Sequence, residues 1–376
     1  MSGSLIRGVW WVMEVVSASE RAFGEIKRLC YAGLDTTTLR LEASEVLRRI
    51  VPFERHCLFT TDPMSGLPTD VVAEGLREGE MRFFLENVMF EDEVNTYDWM
   101  VRSRRPVALL SEGTGGRLDR ALRYREVLAP NGFGYELRSA FTVGYAPWGG
   151  AELSRESGRP DFDGREVAFV ERIAPHMGAG LKAAALRAQS SPEAEGDDVS
   201  GVLTLDHRGR VVQHTRAAGR WLREIGDLDP GWHEGHGLPA AVYAVVGSLR
   251  RALKPGTDRD LNGVPRLHVR ARTGRWLRLQ ADLTEPRGHP GEIVVVIEPA
   301  GPREVGWLHT AAYGLTSRER EIVDLVVRGL SNRKIAATLY ISEYTVQDHL
   351  SNIFDKVGVR GRQALVKHLF LGSIFS

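Results

Sequence analysis

The sequence predicts a multidomain chain: an α+β domain, a second α+β domain, and an all-α, four-helix domain at the C-terminus. Three observations carry this. A length of 376 residues suits two to three domains at the usual ~100 to 200 residues each. Two stretches, Gln189 to Asp198 and Glu298 to Glu304, replace hydrophobic pattern with small, acidic, Pro and Gly residues that cannot pack. Before the second break strand-like alternation mixes with helical spacing, whereas after it the spacing is helical throughout. The breaks place a first domain at 1–188, a linker at 189–199, a second domain at 200–299, a linker at 300–312 and a last domain at 313–376.

The first domain opens on a helical pattern through Ile26, Leu29, Leu41, Val46, Leu47 and Ile50. A strand follows at His56 to Thr60, then a loop from Asp62 to Pro68 and a helix near Glu78 to Val88. Strands near Val107 to Leu110, Leu137 to Tyr145 and Glu152 to Ser154 complete the α+β pattern. In the closing helix, Asp163 to Gln189, Val167, Ala174 and Leu181 recur every seven residues, and so do Val170, Met177 and Ala184. This stripe suits either a seam between two chains or a face laid on its own domain. Pro175 interrupts it, at about 3 kcal/mol or a kink. The layout, with the loop at Asp62 to Pro68, resembles a GAF domain, which implies a small-molecule sensor.

In the second domain, Gly201 to Gln213 makes two short strands around a Gly-containing turn, and Ala217 to Ile225 is helical. Strands at Arg266 to Ala271, Arg275 to Leu283 and Glu292 to Glu298 close it. Leu277, Leu279, Ala281 and Leu283 alternate with the period of two of half-buried antiparallel strands. This order, and the opening Val202-Leu203-Thr204-Leu205-Asp206 with Gly209-Arg210-Val211, resembles a PAS domain, a second sensor fold.

The last domain is the most legible. Thr316 with Glu319 forms a capping box that starts a first helix. Its apolar stripe is Ile322, Val323, Leu325 and Val326, and Gly329 follows its end. Ser331 caps a short second helix that buries Ile335, Ala336 and Leu339; Tyr340 and Ile341 leave room only for a tight corner. Ser342 caps a third helix in which Val346, Leu350, Ile353 and Val357, at offsets of four, three and four, face inward. Its outer face carries Thr345, Asp348, Asn352 and Lys356, with Gln347 at the edge, and Ala364 to Phe370 supplies a fourth helix. Two short helices around a tight turn, the second polar outside and opening on small hydrogen-bonding residues, fit a recognition helix that enters the major groove N-terminus first.

At Leu315, Thr316, Arg318, Glu319, Leu325, Gly329, Ser331, Asn332, Ile335, Ala336, Leu339, Ile341, Ser342, Thr345, Val346, His349, Ile353, Lys356, Gly358, Val359 and Arg362 this segment resembles the LuxR-type helix-turn-helix of bacterial transcription regulators. The resemblance implies a DNA-binding transcription regulator, a homodimer on double-stranded DNA, with RNA polymerase as a further partner. Gln347 stands where such domains usually carry a basic residue. It suits either adenine pairing through N6 and N7 or solvation of the groove edge.

Lys plus Arg equals Asp plus Glu over the whole chain, which excludes a generally basic coat; from Tyr313 to Ser376 nine Lys or Arg face six Asp or Glu. The candidate DNA contacts are Ser331, Asn332, Arg333, Lys334, Ser342, Thr345, Val346, Gln347, Asp348, Asn352, Lys356 and Arg360. Arg333, Lys334, Lys356, Arg360 and Arg362 are the natural phosphate clamps. His349 is expected to be a packed side chain. No phosphate-cradling loop, nucleophile elbow or HExxH is present, so no enzyme is expected. An alternative stays open: a cofactor-bound redox or gas sensor, or an enzyme, with the DNA reader as output. His233 and His236 are metal-ligand types without a third partner, and a surface loop is the expectation there. Cys30 and Cys57 are expected to be buried, reduced thiols. Trp10, Trp11, Tyr97, Trp99, Phe141, Tyr145 and Trp148 suit either core packing or an apolar ligand pocket. No apolar run approaches the ~20 residues of a membrane span, so a cytoplasmic protein is expected.

Overall fold

The computed structural model describes residues 18–77, 79–91, 94–187, 199–225, 237–254, 265–285, 291–311 and 313–371. In the first domain α1 (18–31) and α2 (Thr36–Arg48) precede β1 (Arg55–Thr61) and β2 (Pro68–Glu74). Then come α3 (80–91), α4 (Tyr97–Ser103), β3 (Val107–Leu109) and α5 (Leu110–Thr114). β4 (Phe133–Val143), β5 (Ala146–Glu156) and α6 (Gly164–Arg187) end it. The strands form one antiparallel sheet in the order β2-β1-β5-β4-β3. Sequence pattern did not show β2. Pro68 and Asp70 argue against a strand, but Pro is tolerated at the first residue of an edge strand, and the Asp70 carboxylate is taken by the buried Arg40 guanidinium.

Alternation along β4 separates two environments. Leu137 and Phe141 join Ile26, Leu39, Val170, Met177 and Leu181 in the core under α1, α2 and α6. Glu136 and Arg138 belong to a buried ion network with Arg123 and Glu152. The a- and d-like positions of the closing helix from Val170 to Leu181 lie in that intradomain core, and Ala184 is buried beyond them. The heptad stripe is therefore the face laid on its own sheet, and the seam between chains is not formed by these residues. Close approach explains why α6 holds through Pro175: a Cβ at Gly178 would lie 2.6 Å from the Thr142 carbonyl oxygen. The packing of this face, more than helix propensity, fixes the helix. Both cysteines are free thiols; burial pushes Cys30 up to about 12 and Cys57 higher still.

The second domain contains β6 (Gly201–Leu205), β7 (Val211–His214), α7 (Arg216–Glu224), α8 (Ala240–Ala252), β8 (Arg266–Arg270), β9 (Trp276–Leu283) and β10 (Ile293–Pro299). Its antiparallel sheet runs β7-β6-β10-β9-β8. α8 is buried almost all round from Ala240 to Gly247, as a helix apolar on every side must be. One side packs on its own sheet and the other on α3: a Cβ at Gly247 would meet the Leu85 carbonyl oxygen at 2.5 Å. Glu86 of α3 reinforces this joint by pairing with Arg250 and Arg82.

The stretch 300–312, expected as a linker, carries a helix, α9 (Pro302–Ala311). Its breakers are start signals: Pro302 is the first helical residue, and the Glu304 carboxylate accepts from the Gly301 amide at 2.9 Å. α10 (Ser317–Val327), α11 (Asn332–Leu339), α12 (Glu343–Val357) and α13 (Arg362–Val366), with a further helical turn over Lys367–Leu371, form the last domain. Their core is the predicted stripe, with Leu315, Leu365 and Leu369 added. Trp10, Trp11, His233, His236 and the linker 189–198 lie outside the described residues.

Candidate nucleic-acid interface

Three capped helix starts set the geometry. The Thr316 hydroxyl accepts from the Glu319 amide at 3.2 Å, and the Glu319 carboxylate accepts from the Thr316 amide at 2.7 Å. Ser331 accepts from the Lys334 amide at 3.4 Å, and Ser342 from the Thr345 amide at 3.0 Å. Between α11 and α12 the corner turns at Tyr340, held in the left-handed region at φ 54°. α12 is anchored by Val346, Leu350, Ile353 and Val357. Its N-terminus presents Ser342 and Thr345, whose hydroxyls are hydrogen-bonded at 2.8 Å.

Gln347, Asp348 and Asn352 are exposed on α12, and Ser331, Arg333 and Lys334 are exposed at the start of α11. Arg360 is exposed beyond the end of α12. Asn332 is half-buried, and its amide donates to the Gln347 side-chain oxygen at 3.0 Å. Arg362 in turn donates to the Asn332 oxygen at 3.3 Å and to the Leu330 carbonyl. The chain Arg362, Asn332, Gln347 thus orients the Gln347 carboxamide from behind. One lone pair of its oxygen is engaged, which favours its NH2 group as the outward-facing contact over bidentate adenine pairing.

Three expected contacts need correction. Val346 is 0% exposed and belongs to the core, so it anchors α12 and touches no groove. Lys356 donates to both Glu319 carboxylate oxygens, at 2.7 and 2.8 Å, because the end of α12 packs beside the start of α10. Burial would raise the Glu319 carboxyl, but Lys356 and the Thr316 amide outweigh it and hold it below the usual range. Arg362 is likewise turned inward. Arg333, Lys334 and Arg360 make no ion pair with a described residue. His349 is half-buried, at the edge of the core-facing side.

Sequence reasoning missed two aromatics. Tyr340 is 95% exposed and Tyr344 76%, on either side of Ser342 at the entrance of α12. Large apolar bodies this exposed, each with a hydroxyl, suit packing on a sugar-phosphate backbone. The signal was available: neither position falls in the inward stripe.

The sequence profile described as "Bacterial regulatory proteins, luxR family" matches residues 313–369. The spore germination protein GerE of Bacillus subtilis is 48% identical over 61 residues, covering 16% of this chain and 82% of that protein. The chain belongs to the luxR family. It is a LuxR-type transcriptional regulator with a DNA-binding helix-turn-helix at its C-terminus. The transcriptional regulatory protein DegU of Brevibacillus brevis is 50% identical over 56 residues, 15% of this chain and 24% of DegU. Among solved structures, VqmA of Vibrio cholerae superposes with a TM-score of 0.22 at 16% identity, over 46% of this chain and 82% of that one. SdiA of Escherichia coli gives 0.29 at 11% identity, over 91% and 93%. At such scores the likeness says nothing of how this LuxR-type chain arranges its upstream domains. No helix among the described residues is long and apolar enough to cross a membrane.

Proposed function

We propose that this chain is a signal-responsive regulator whose two upstream domains, GAF-like and PAS-like, control docking of α12 in the major groove of operator DNA by a homodimer. The observation that carries the docking is the entrance of α12. Ser342 and Thr345 open it, Gln347, Asp348 and Asn352 follow outward, and Arg333, Lys334 and Arg360 flank it as exposed cations. Ser331 and Asn332 position the start of α11 beside it. The same strand order in both upstream sheets, with helices packed on each, supports the two sensor readings.

The cation count supports the dimeric reading. Lys356 and Arg362 are spent inside the domain, so one copy brings few free charges to phosphate, and two copies on a two-fold site restore useful affinity. Gel-shift titration across salt concentrations tests this. Arg333→Ala with Lys334→Ala should weaken binding to every duplex and reduce the log–log salt slope by about 1 for each phosphate contact removed. Thr345→Ala or Gln347→Ala should instead change sequence preference by about 1–3 kcal/mol per base position. Unchanged binding in both sets sinks the assignment.

A further inference from the structure

In the second domain, arginines gather on the outer side of α7. The helix is seated by Thr215, whose hydroxyl accepts from the Ala218 amide at 3.2 Å, and by close approach of β6, where a Cβ at Gly201 would lie 2.5 Å from the Ala218 backbone. Ala217, Ala218, Trp221 and Leu222 are buried, so one side of α7 is spent on its own domain. Arg216, Arg220 and Arg223, at offsets of four and three, share the other side and are all exposed. At the end of the helix Arg272, exposed in the turn between β8 and β9, donates to the Arg223 carbonyl at 2.7 Å and brings a further cation beside the row.

Helix stability does not account for this row. Arg216 is the first helical residue, where the helix dipole favours an acidic side chain, and the first turn of α7 contains none. Arg216 with Arg220, and Arg220 with Arg223, are like-charge neighbours of the kind that destabilise a helix. None of the three forms an ion pair with a described residue. Acidic groups of the domain are engaged elsewhere: Asp206 by Arg210, Glu298 by Arg278, and Glu224 by the Thr273 hydroxyl at 2.8 Å. The charge is thus left uncompensated, and it is carried by guanidinium groups, whose planar fork matches a phosphate through two parallel hydrogen bonds.

We infer that the arginine face of α7, with Arg272, is a second DNA-contacting surface, which holds the phosphate backbone of the duplex outside the segment read by α12. This rests on the docking of α12 and extends it to the second domain. From Arg216 to Arg223 the row spans about 10 Å of helix, and duplex DNA offers one negative charge per ~1.7 Å of its axis. The row supplies what the reader lacks, since Lys356 and Arg362 are turned inward there. Arg278 of β9 pairs with Glu304 of α9 at 2.9 Å, which ties this domain to the helix that leads into the reader. An anionic membrane is disfavoured as the partner, because surface-lying helices insert their apolar side and that of α7 is already buried.

The test is fluorescence anisotropy of the full-length chain with a mixed-sequence duplex of about 40 base pairs, from about 50 to 200 mM salt. Arg216→Gln, Arg220→Gln and Arg223→Gln together should weaken binding about tenfold or more and lower the log–log salt slope by about 2–3, at ~0.9 for each phosphate contact. Lys at the same three positions returns the charge and should restore most of the slope. The Gln variant should melt no lower than wild type, because it removes two like-charge pairs; if it fails to fold, Arg223→Gln alone should still lower the slope by about 1. An unchanged slope, or one that Lys does not restore, overturns the inference. So does a Gln variant that loses binding to poly-glutamate and keeps the wild-type slope on DNA, which would give the face to an acidic protein instead. Arg333→Ala with Lys334→Ala separates this surface from the docking of α12. A slope lowered by that pair and not by the α7 variant leaves the docking and removes this surface, whereas the reverse removes the docking and leaves α7 in contact with DNA.

Discussion

Lys356 is the residue whose meaning changed most between sequence and structure. On the helical pattern it lies on the outer face of α12, where a lysine suits phosphate. In three dimensions its ammonium holds both oxygens of Glu319, whose side chain is otherwise buried. Lys356→Ala would strand a buried carboxylate, a loss of about 1–3 kcal/mol. The expected result in urea unfolding of the C-terminal domain is a lower midpoint, with the salt slope of DNA binding unchanged, in contrast to Arg333→Ala. Since the folded-state pKa of Glu319 is depressed, this contribution is fully present above the ordinary carboxylate value near 4.5 and is lost as pH falls through the lower folded value. Unfolding midpoints of wild type and variant should therefore converge in acid. A variant whose salt slope falls as much as that of Arg333→Ala would restore the lysine to the phosphate contacts.

Among elements, α6 shows how much was legible and where it stopped. Spacing located the helix and its apolar face within two residues at each end. It could not choose between a partner chain and the helix's own sheet, because a stripe of Val, Met, Leu and Ala suits both. The choice is made by close approach, Gly178 on the Thr142 backbone and Gly180 on Cys30 and Leu39. Gly178→Ala should thus destabilise the first domain by about 1–3 kcal/mol, by overpacking, where the same change at a solvent-facing helical glycine would stabilise it. A raised denaturation midpoint would place this face elsewhere. The same logic separates the two ends of the molecule. In the last domain caps, stripe and turn coincide in short-range sequence, so α10 to α13 were predictable. β2 and α9 were not, since their Pro, Gly and Asp read locally as breakers and only Arg40 and Arg278, distant in sequence, give the charged groups partners.

At the scale of the whole molecule the two upstream domains and α9 meet around His268. Its backbone N–H donates to the Asp62 carboxylate at 3.0 Å and its Nδ1 lies 3.3 Å from the same oxygen, while Met64 and Ser65 hold Asp62 in its turn. Glu304 faces the other ring nitrogen and is itself paired with Arg278 at 2.9 Å. Burial alone would lower the imidazole pKa; the hydrogen bond and charge of Asp62, with Glu304, outweigh it and hold it above the ordinary value of 6.5. A raised folded pKa means that this tie is fully present below pH 6.5 and fades as pH rises through the higher folded value. Amide hydrogen exchange measures it, once corrected for the intrinsic pH dependence. Protection of the Asp62–Leu67 turn and of α9 should fall together as pH rises through that raised value. In His268→Gln, which keeps the backbone donor to Asp62 and cannot titrate, protection should be lower in acid and flat with pH. If the two segments lose protection at different pH values, or if the variant keeps the wild-type profile, His268 is not the joint, and the route from the upstream domains to the reader runs through the α3–α8 packing instead.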